Sequence, residues 1–328
     1  MDFNDLIRII DGFRESRIIH SAVELGVFES LTKKPLDSNG VAGFCHTARP
    51  TMETLLNALV SMNLLIKSES LFSNSDTVNE YLVRSSNSYM GDIIRFTGRT
   101  WDSWGKLTDT ITTGRPQEPP YTEKQYGEEW ESFIRGMHNF AISRKDAKIT
   151  TDVVDLSGKT ILLDVACGPG TYSYELCLKN TNLNAILFDL PETMKVTKKI
   201  SSEYELDGRL EFIEGNYKKD DFPVDVDCVL LFNIIHQESS EDNETLVNKI
   251  YNSLSKNGML VIKDHILNDE KTLPKDGSLF SMQMKLITGG RCYNESEIYQ
   301  WMSNAGFSEL QTVGPISPMT SAFITGIK

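Results

Sequence analysis

The spacing of apolar positions changes along this chain, from helical periodicity in its first third to short apolar runs alternating with helical segments after about residue 150. Leu6, Ile9, Ile10 and Phe13 recur at helical spacing, and Ile18, Ile19, Ala22, Val23 and Leu25 continue the pattern up to Gly26, a residue suited to a helix end. Met52, Leu55, Leu56, Leu59, Val60 and Met62 predict another helix over 51–65. Two short apolar stretches, Leu64-Leu65-Ile66 and Leu71-Phe72, flank polar Lys67-Ser68-Glu69-Ser70 and predict a small hairpin. Helices followed by a hairpin make a winged-helix-like unit, here placed over 1–95.

Residues 96–150 are rich in aromatic rings: Phe96, Trp101, Trp104, Tyr121, Tyr126, Trp130, Phe133 and Phe140. Thr113-Gly114-Arg115-Pro116 and Pro119-Pro120 break the segment into helix, loop and helix. Most of these rings belong in a core; a few can line a pocket for a flat ligand. The segment is read as a helical linker that contributes to a substrate pocket.

From residue 151 to the end, strands are predicted over 160–166, 184–188, 210–214, 226–232 and 259–264, with helices over 171–180, 192–206, 241–255 and 295–305. A last pair, 308–313 and 321–327, forms a hairpin. This is an α/β pattern: a Rossmann-like doubly wound sheet with a C-terminal antiparallel hairpin, preceded by the mainly helical unit. The stretch 268–289 reads as a loop able to act as a lid.

Bulk properties narrow the partners. The 328 residues suit about two domains, and 40% hydrophobic with 24% charged residues is an ordinary globular balance. The net charge of −13, without a basic face, disfavours nucleic acid. The pairs Lys33-Lys34, Lys198-Lys199 and Lys218-Lys219 read as solvated surface. No stretch approaches the ~18 apolar residues of a membrane helix. Five cysteines without a CxxC pair, and an N-terminus lacking a basic, apolar leader, lead to the expectation of a reducing, cytoplasmic location.

The candidate chemistry starts at the first strand of the α/β half. Ile161 to Val165 runs into Ala166-Cys167-Gly168-Pro169-Gly170, and a helix follows at once. Such a turn lets backbone approach a ligand and presents free N–H groups. The next strand ends in Asp189, placed to hold both hydroxyls of a ribose. The dinucleotide spacing G-x-G-x-x-G fails, because Ser173 occupies the third glycine position. Asp164, just before the turn, would repel a pyrophosphate but favour a sulfonium or an ammonium group. The ligand these residues suit is S-adenosylmethionine.

The run Asp164-Val165-Ala166-Cys167-Gly168-Pro169-Gly170 resembles the first motif of class I S-adenosylmethionine-dependent methyltransferases. The likeness extends through Ala22-Val23-Glu24-Leu25-Gly26-Val27-Phe28, Arg49-Pro50-Thr51, Thr113-Gly114-Arg115-Pro116, Phe188-Asp189-Leu190-Pro191, Ile234-Ile235-His236, Gly289-Gly290-Arg291 and Ala305-Gly306-Phe307. In that order these match the small-molecule O-methyltransferases of the caffeic acid, acetylserotonin and hydroxyneurosporene type. The resemblance implies a homodimer built by the N-terminal helices and a small, aromatic or polyketide-like hydroxylated substrate.

It also implies roles for residues. Asp164, Ala166, Gly168, Gly170, Asp189, Leu190, Asn216, Tyr217, Phe232 and Asn233 would surround the cofactor, with Asn216 where the family usually has Asp. Phe133, Met137, His138, Asp264 and Cys292 would face the substrate pocket. His236 matches the catalytic base, although a lone histidine after an apolar strand is, on spacing alone, more often structural. Gln237 and Cys292 replace the acids the family carries near that histidine, leaving Asp264 as the acidic candidate. A readily ionised phenol or enol is then an easier substrate than an alkyl alcohol. Carbon or nitrogen methylation on the same fold, and a non-catalytic winged-helix regulator, are the alternatives. Asp225, Asp227 and Asp264 are too scattered to predict a metal site.

Overall fold

The computed structural model describes residues 1–117 and 127–328 and divides the chain into two compact units, 1–101 and 102–328. Tyr121, Tyr126 and Pro119-Pro120 lie outside the described residues. The division falls inside the segment expected to be a linker, and residues from 102 onward belong to the α/β unit.

In the first unit the two N-terminal apolar patterns merge into one helix, α1 (Phe3–Leu25). Asp2 and Asp5 form a capping box at its start, and Gly26 ends it at φ 75. Short helices α2 (Val27–Ser30) and α3 (Ser38–Phe44) lead to α4 (Arg49–Ser61), which buries Met52, Leu56 and Leu59 on one stripe. The predicted hairpin is present as β1 (Leu65–Ser68) and β2 (Leu71–Asn74), and α5 (Asp76–Tyr81) and α6 (Gly91–Arg99) complete the unit. Its core gathers Ala22, Phe28, Val41, Leu56, Leu59 and Phe72.

Helix α7 (Trp101–Gly105) begins at the division. It is followed by α8 (Leu107–Thr113), α9 (Glu128–Ser143) and α10 (Asp146–Val153). The sheet then alternates with helices: β3 (Ile161–Val165), α11 (Thr171–Lys179), β4 (Asn184–Asp189), α12 (Pro191–Ser201), β5 (Leu210–Glu214), β6 (Val226–Phe232), α13 (Ser240–Ser253) and β7 (Leu254–Asp264). The chain closes with α14 (Lys275–Ile287), α15 (Glu295–Ala305), β8 (Ser308–Val313) and β9 (Ala322–Ile327). Among the described residues, no helix is long and apolar enough to cross a membrane.

Strand order is β5-β4-β3-β6-β7-β9-β8; β3 to β7 are parallel, and the last hairpin runs antiparallel against β7. Alternate residues feed opposite layers, as strand geometry requires. Leu163, Val165, Val229, Leu231, Leu260 and Ile262 pack with α13 and α15, whereas Leu162, Cys228, Leu230 and Val261 pack with α11 and α12. Both faces are covered, which is why these strands read as near-continuous apolar runs.

Two boundaries depart from the sequence reading. Strand β7 starts at Leu254, five residues early, with an irregularity opposite Val226–Cys228. The expected 268–289 loop contains α14, a helix of 13 residues. Gly277 and Ser278 near its start dilute the helical pattern, but Met284 and Ile287 are buried three residues apart in its last turn, next to Leu286. Burial of that turn outweighs the weak local propensity.

Candidate active site

The ends of β3, β4, β6 and β7 form one carboxyl edge, and the chain departs from ordinary backbone there. Ala166 after β3 and Asn233 after β6 both adopt left-handed conformations (φ 54 and 57). Non-glycine residues held this way cluster at functional sites. Gly168 and Gly170 are left-handed as well; a Cβ on Gly170 would lie 2.5 Å from the Tyr174 hydroxyl, while the space before Gly168 is open. The turn therefore has room for a ligand on the Gly168 side.

Two carboxylates hold this turn. The Gly168 N–H donates to Asp189 Oδ2 (2.7 Å) and the Leu190 N–H to Asp189 Oδ1 (2.7 Å). Ser173, in the failed third-glycine position, donates its hydroxyl to Asp164 Oδ2 (2.6 Å). Both acids are buried. Burial pushes the Asp164 carboxyl from 3.8 up to about 7, with the Asp189 charge adding to the rise against the Ser173 bond. Burial likewise pushes Asp189 up to about 6, against its two backbone N–H bonds. Two buried acids beside the turn suit a cation-bearing adenosine ligand such as S-adenosylmethionine and disfavour a pyrophosphate.

These shifts predict a pH dependence. Both acids bind protons more tightly when folded than unfolded. Their contribution to the stability of the ligand-free protein is therefore full below the unfolded value of 3.8 and is lost as pH rises through about 6 and 7. A cationic ligand favours the ionised form, so its affinity should rise over the same window. Calorimetric titration with S-adenosylhomocysteine, whose amino group keeps a positive charge, at pH 5.5 and 7.5 checks this; equal affinities at the two pH values would contradict it.

The segment after β5 carries Asn216 and Tyr217. The Asn216 side-chain oxygen accepts from the Lys218 N–H (2.9 Å), which leaves its amide NH2 for an adenine edge. Tyr217 donates its hydroxyl to buried Glu238 (2.5 Å), and Lys218 pairs with the other oxygen of Glu238 (2.6 Å). These bonds tie the segment to the turn that bears His236.

His236 lies in a short 3-10 turn, Ile235–Gln237, directly after β6, and is buried. Its Nδ1 is 2.8 and 3.0 Å from the two oxygens of Asp264, the last residue of β7. Burial alone would raise the Asp264 carboxyl; the charge and hydrogen bond of His236, with His265 and its N–H (2.7 Å), outweigh this and hold it below the ordinary range. An ionised carboxylate only accepts, so Nδ1 carries a proton, and in the neutral imidazole this leaves the lone pair on Nε2. The missing family acids are thus answered by Asp264. Cys292 is fully buried, its N–H bonded to Ser281 Oγ (3.0 Å), and its thiol is pushed well up by burial.

The Gly289-Gly290-Arg291 run supports the same turn from behind. Arg291 N–H donates to the His236 carbonyl (3.0 Å), and a Cβ on Gly290 would sit 2.1 Å from that oxygen. Gly290→Ala should therefore push the His236 turn aside. The expected cost is about 1–3 kcal/mol of stability, with a loss of turnover; thermal melting and a methyl-transfer assay check it.

The remaining expected pocket residues separate. Phe133 packs on Trp130 (5.4 Å between centroids) and against the α11–α12 layer. Met137 is half-buried on the same helix, and His138 Nδ1 contacts the Thr171 hydroxyl (2.8 Å), the first residue of α11. His138 is therefore tied to the helix that follows the glycine turn, and burial lowers its affinity for a proton. Phe232 meets Tyr172 edge-on (5.1 Å).

Four residues at this edge escaped the sequence reading. Phe280 of α14 stands 4.9 Å from the His236 ring and 4.4 Å from the His265 ring. Half-buried Tyr172 and buried Lys263 and Asp146 form a polar group beside Phe232. Only Lys263 had a local signal, a cation directly after the apolar run Leu260-Val261-Ile262 near the end of a predicted strand.

Comparison with known proteins agrees with this geometry. A family profile described as an O-methyltransferase domain matches residues 104–308, and one described as an O-methyltransferase dimerisation domain matches residues 7–84. The chain is 28% identical to a 3-hydroxy-5-methyl-1-naphthoate 3-O-methyltransferase of Streptomyces sahachiroi, over 98% of this chain and 94% of that one. It is 26% identical to acetylserotonin O-methyltransferase of Bos taurus, over 92% and 91%. The crystal structure of human N-acetylserotonin methyltransferase in complex with SAM superposes with a TM-score of 0.90 at 23% identity, covering 99% and 97% of the two chains. The ordered motifs, the buried acids beside the glycine turn and the profile match over most of the chain agree: this protein belongs to the O-methyltransferase family, enzymes that take their methyl group from S-adenosylmethionine.

Proposed function

We propose that this chain methylates a hydroxyl of a small, flat aromatic or polyketide-like metabolite, with His236 as the general base. The observation that carries this reading is the buried His236–Asp264 pair at the carboxyl edge of the sheet. S-adenosylmethionine supplies an activated methyl group on a sulfonium when bound. Asp189 is assigned to the ribose hydroxyls, the backbone at Gly168 and Gly170 to the methionine portion, and Asn216 and Tyr217 to the adenine. Phe232 and Asn233 are assigned to the border of the cofactor and acceptor sites. Nε2 of His236 takes the acceptor's proton, and ionised Asp264 stabilises the imidazolium that forms. Phe280 and the ends of β6 and β7 keep water from the reacting atoms.

Incubation with methyl-labelled S-adenosylmethionine and metabolite extracts, followed by fragmentation of the product, tests the reading. A methoxy product supports it. A methyl group on carbon or nitrogen would retain the fold and cofactor and remove the hydroxyl acceptor. Salt-sensitive DNA binding without methyl transfer would instead support a regulator.

The first unit serves, in this reading, to pair two copies. Phe3, Ile9, Ile10 and Phe13 of α1 are 73%, 58%, 56% and 55% exposed, too much apolar area in one helix for a lone surface helix. The variant Ile10→Asp/Phe13→Asp should shift the mass in solution from dimer to monomer; light scattering reads it, and a wild-type monomer would contradict the assignment. All five cysteines are free, in keeping with a reducing, cytoplasmic setting.

A further inference from the structure

Asp264 and its neighbour Lys263 point to opposite faces of β7, as adjacent strand residues must. Asp264 holds His236. Lys263 is 2% exposed on the opposite face, opposite Phe232 in the register, and its ammonium is 3.2 Å from the Tyr172 hydroxyl. Lysine is almost never buried so completely without close pairing. Its pairing is poor: the Asp146 Oδ2 is 3.7 Å away, beyond a hydrogen bond. The other oxygen of Asp146 is buried without a hydrogen-bond partner, and Arg144 stands 3.6 Å from it. Two cations therefore face one carboxylate, and the ammonium has donors left over.

The location gives this excess charge a use. Tyr172 is the second residue of α11, immediately past the glycine turn, and Phe232 precedes Asn233 at the end of β6. Asn233 N–H donates to the Lys263 carbonyl (2.7 Å), joining the two strand ends. The cation thus lies beside the second residue past the glycine turn, on the strand whose next residue holds His236. We propose that Lys263 and Tyr172 form a carboxylate-binding position of the methyl-transfer site, with Asp146 offsetting only part of the charge of Lys263 and Arg144. The carboxylate belongs either to the methionine end of the cofactor or to an acidic aromatic acceptor. Both present the same charge and two acceptor oxygens, which a buried ammonium and a phenol hydroxyl satisfy together. This inference rests on the methyl-transfer reading of the site.

Calorimetry separates the sources. Wild-type protein is titrated with S-adenosylhomocysteine, with methylthioadenosine, which lacks the amino-acid end, and with hydroxynaphthoic acid and naphthol in the presence of S-adenosylhomocysteine. The same titrations follow on Lys263→Met, and on Lys263→Met/Asp146→Asn, which leaves no uncompensated acid in the core. Binding of S-adenosylhomocysteine weakened by about 10–100-fold, with methylthioadenosine unchanged, assigns the position to the cofactor. A loss confined to hydroxynaphthoic acid assigns it to the acceptor. Equal losses for S-adenosylhomocysteine and methylthioadenosine, or no loss for any acid, overturn the proposal. Wild-type protein that binds no S-adenosylhomocysteine would instead overturn the reading of the site itself.

Discussion

His236→Ala is expected to lower methyl-transfer turnover by about 10²–10⁴-fold, the range typical for loss of a general base. Binding of S-adenosylhomocysteine should be nearly unchanged, because the bonds that hold the glycine turn run to Asp189 and Asp164, not to His236. The deficit should shrink as pH rises toward the acceptor's own pKa, about 10 for a simple phenol, since an acceptor already ionised needs no base. Single-turnover rates across a pH series, with calorimetry on the same preparation, give both readouts. Unchanged turnover at neutral pH would remove His236 from the proton transfer. A comparable fall in cofactor affinity would make its role structural.

Asp264→Asn should come close to that loss, about 10²–10⁴-fold, without removing the imidazole. The carboxylate accepts at 2.8 and 3.0 Å from Nδ1, which fixes the tautomer. An amide can turn its NH2 toward Nδ1 and leave Nε2 protonated, which blocks proton uptake. It also removes the negative charge that stabilises the imidazolium. The variant keeps side-chain volume, so melting should change far less than turnover. Full activity in Asp264→Asn would show that the pair is a packing feature. A rate loss that shrinks for more acidic phenols would show that the defect lies in proton transfer.

The two variants also mark how far the sequence could be read. Strands β3, β4, β6 and β7 were legible because both of their faces are largely buried, so each contains an apolar run bounded by turn residues. The glycine turn, Asp164 and Asp189 were legible because they adjoin strand ends, where local order implies position. Helix α14 was not, since Gly277 and Ser278 interrupt its pattern and its identity depends on burying Met284, Leu286 and Ile287. Phe280 was lost with it, although its ring flanks both His236 and His265.

The chemistry around His236 shows the same limit. Gln237 and Cys292 left the histidine without an adjacent acid in the sequence, with Asp264 as the acidic candidate by resemblance alone; the structure brings that residue, 28 positions away, to His236 across the β6–β7 pairing. The register that aligns Phe232 with Lys263 sets that distance, and no local pattern reports it.

By itself, then, the sequence determined the α/β order, the adenosine-type ligand and the position of a candidate base, because these depend on periodicity and on residues adjacent along the chain. Tertiary structure alone decided that Asp264 orients His236, that Glu238 joins the Tyr217 segment to the same turn, and that Lys263 is buried with spare donors. Each of these depends on which strand ends the parallel pairing brings side by side, and that pairing is fixed by packing across the sheet rather than by neighbours in sequence.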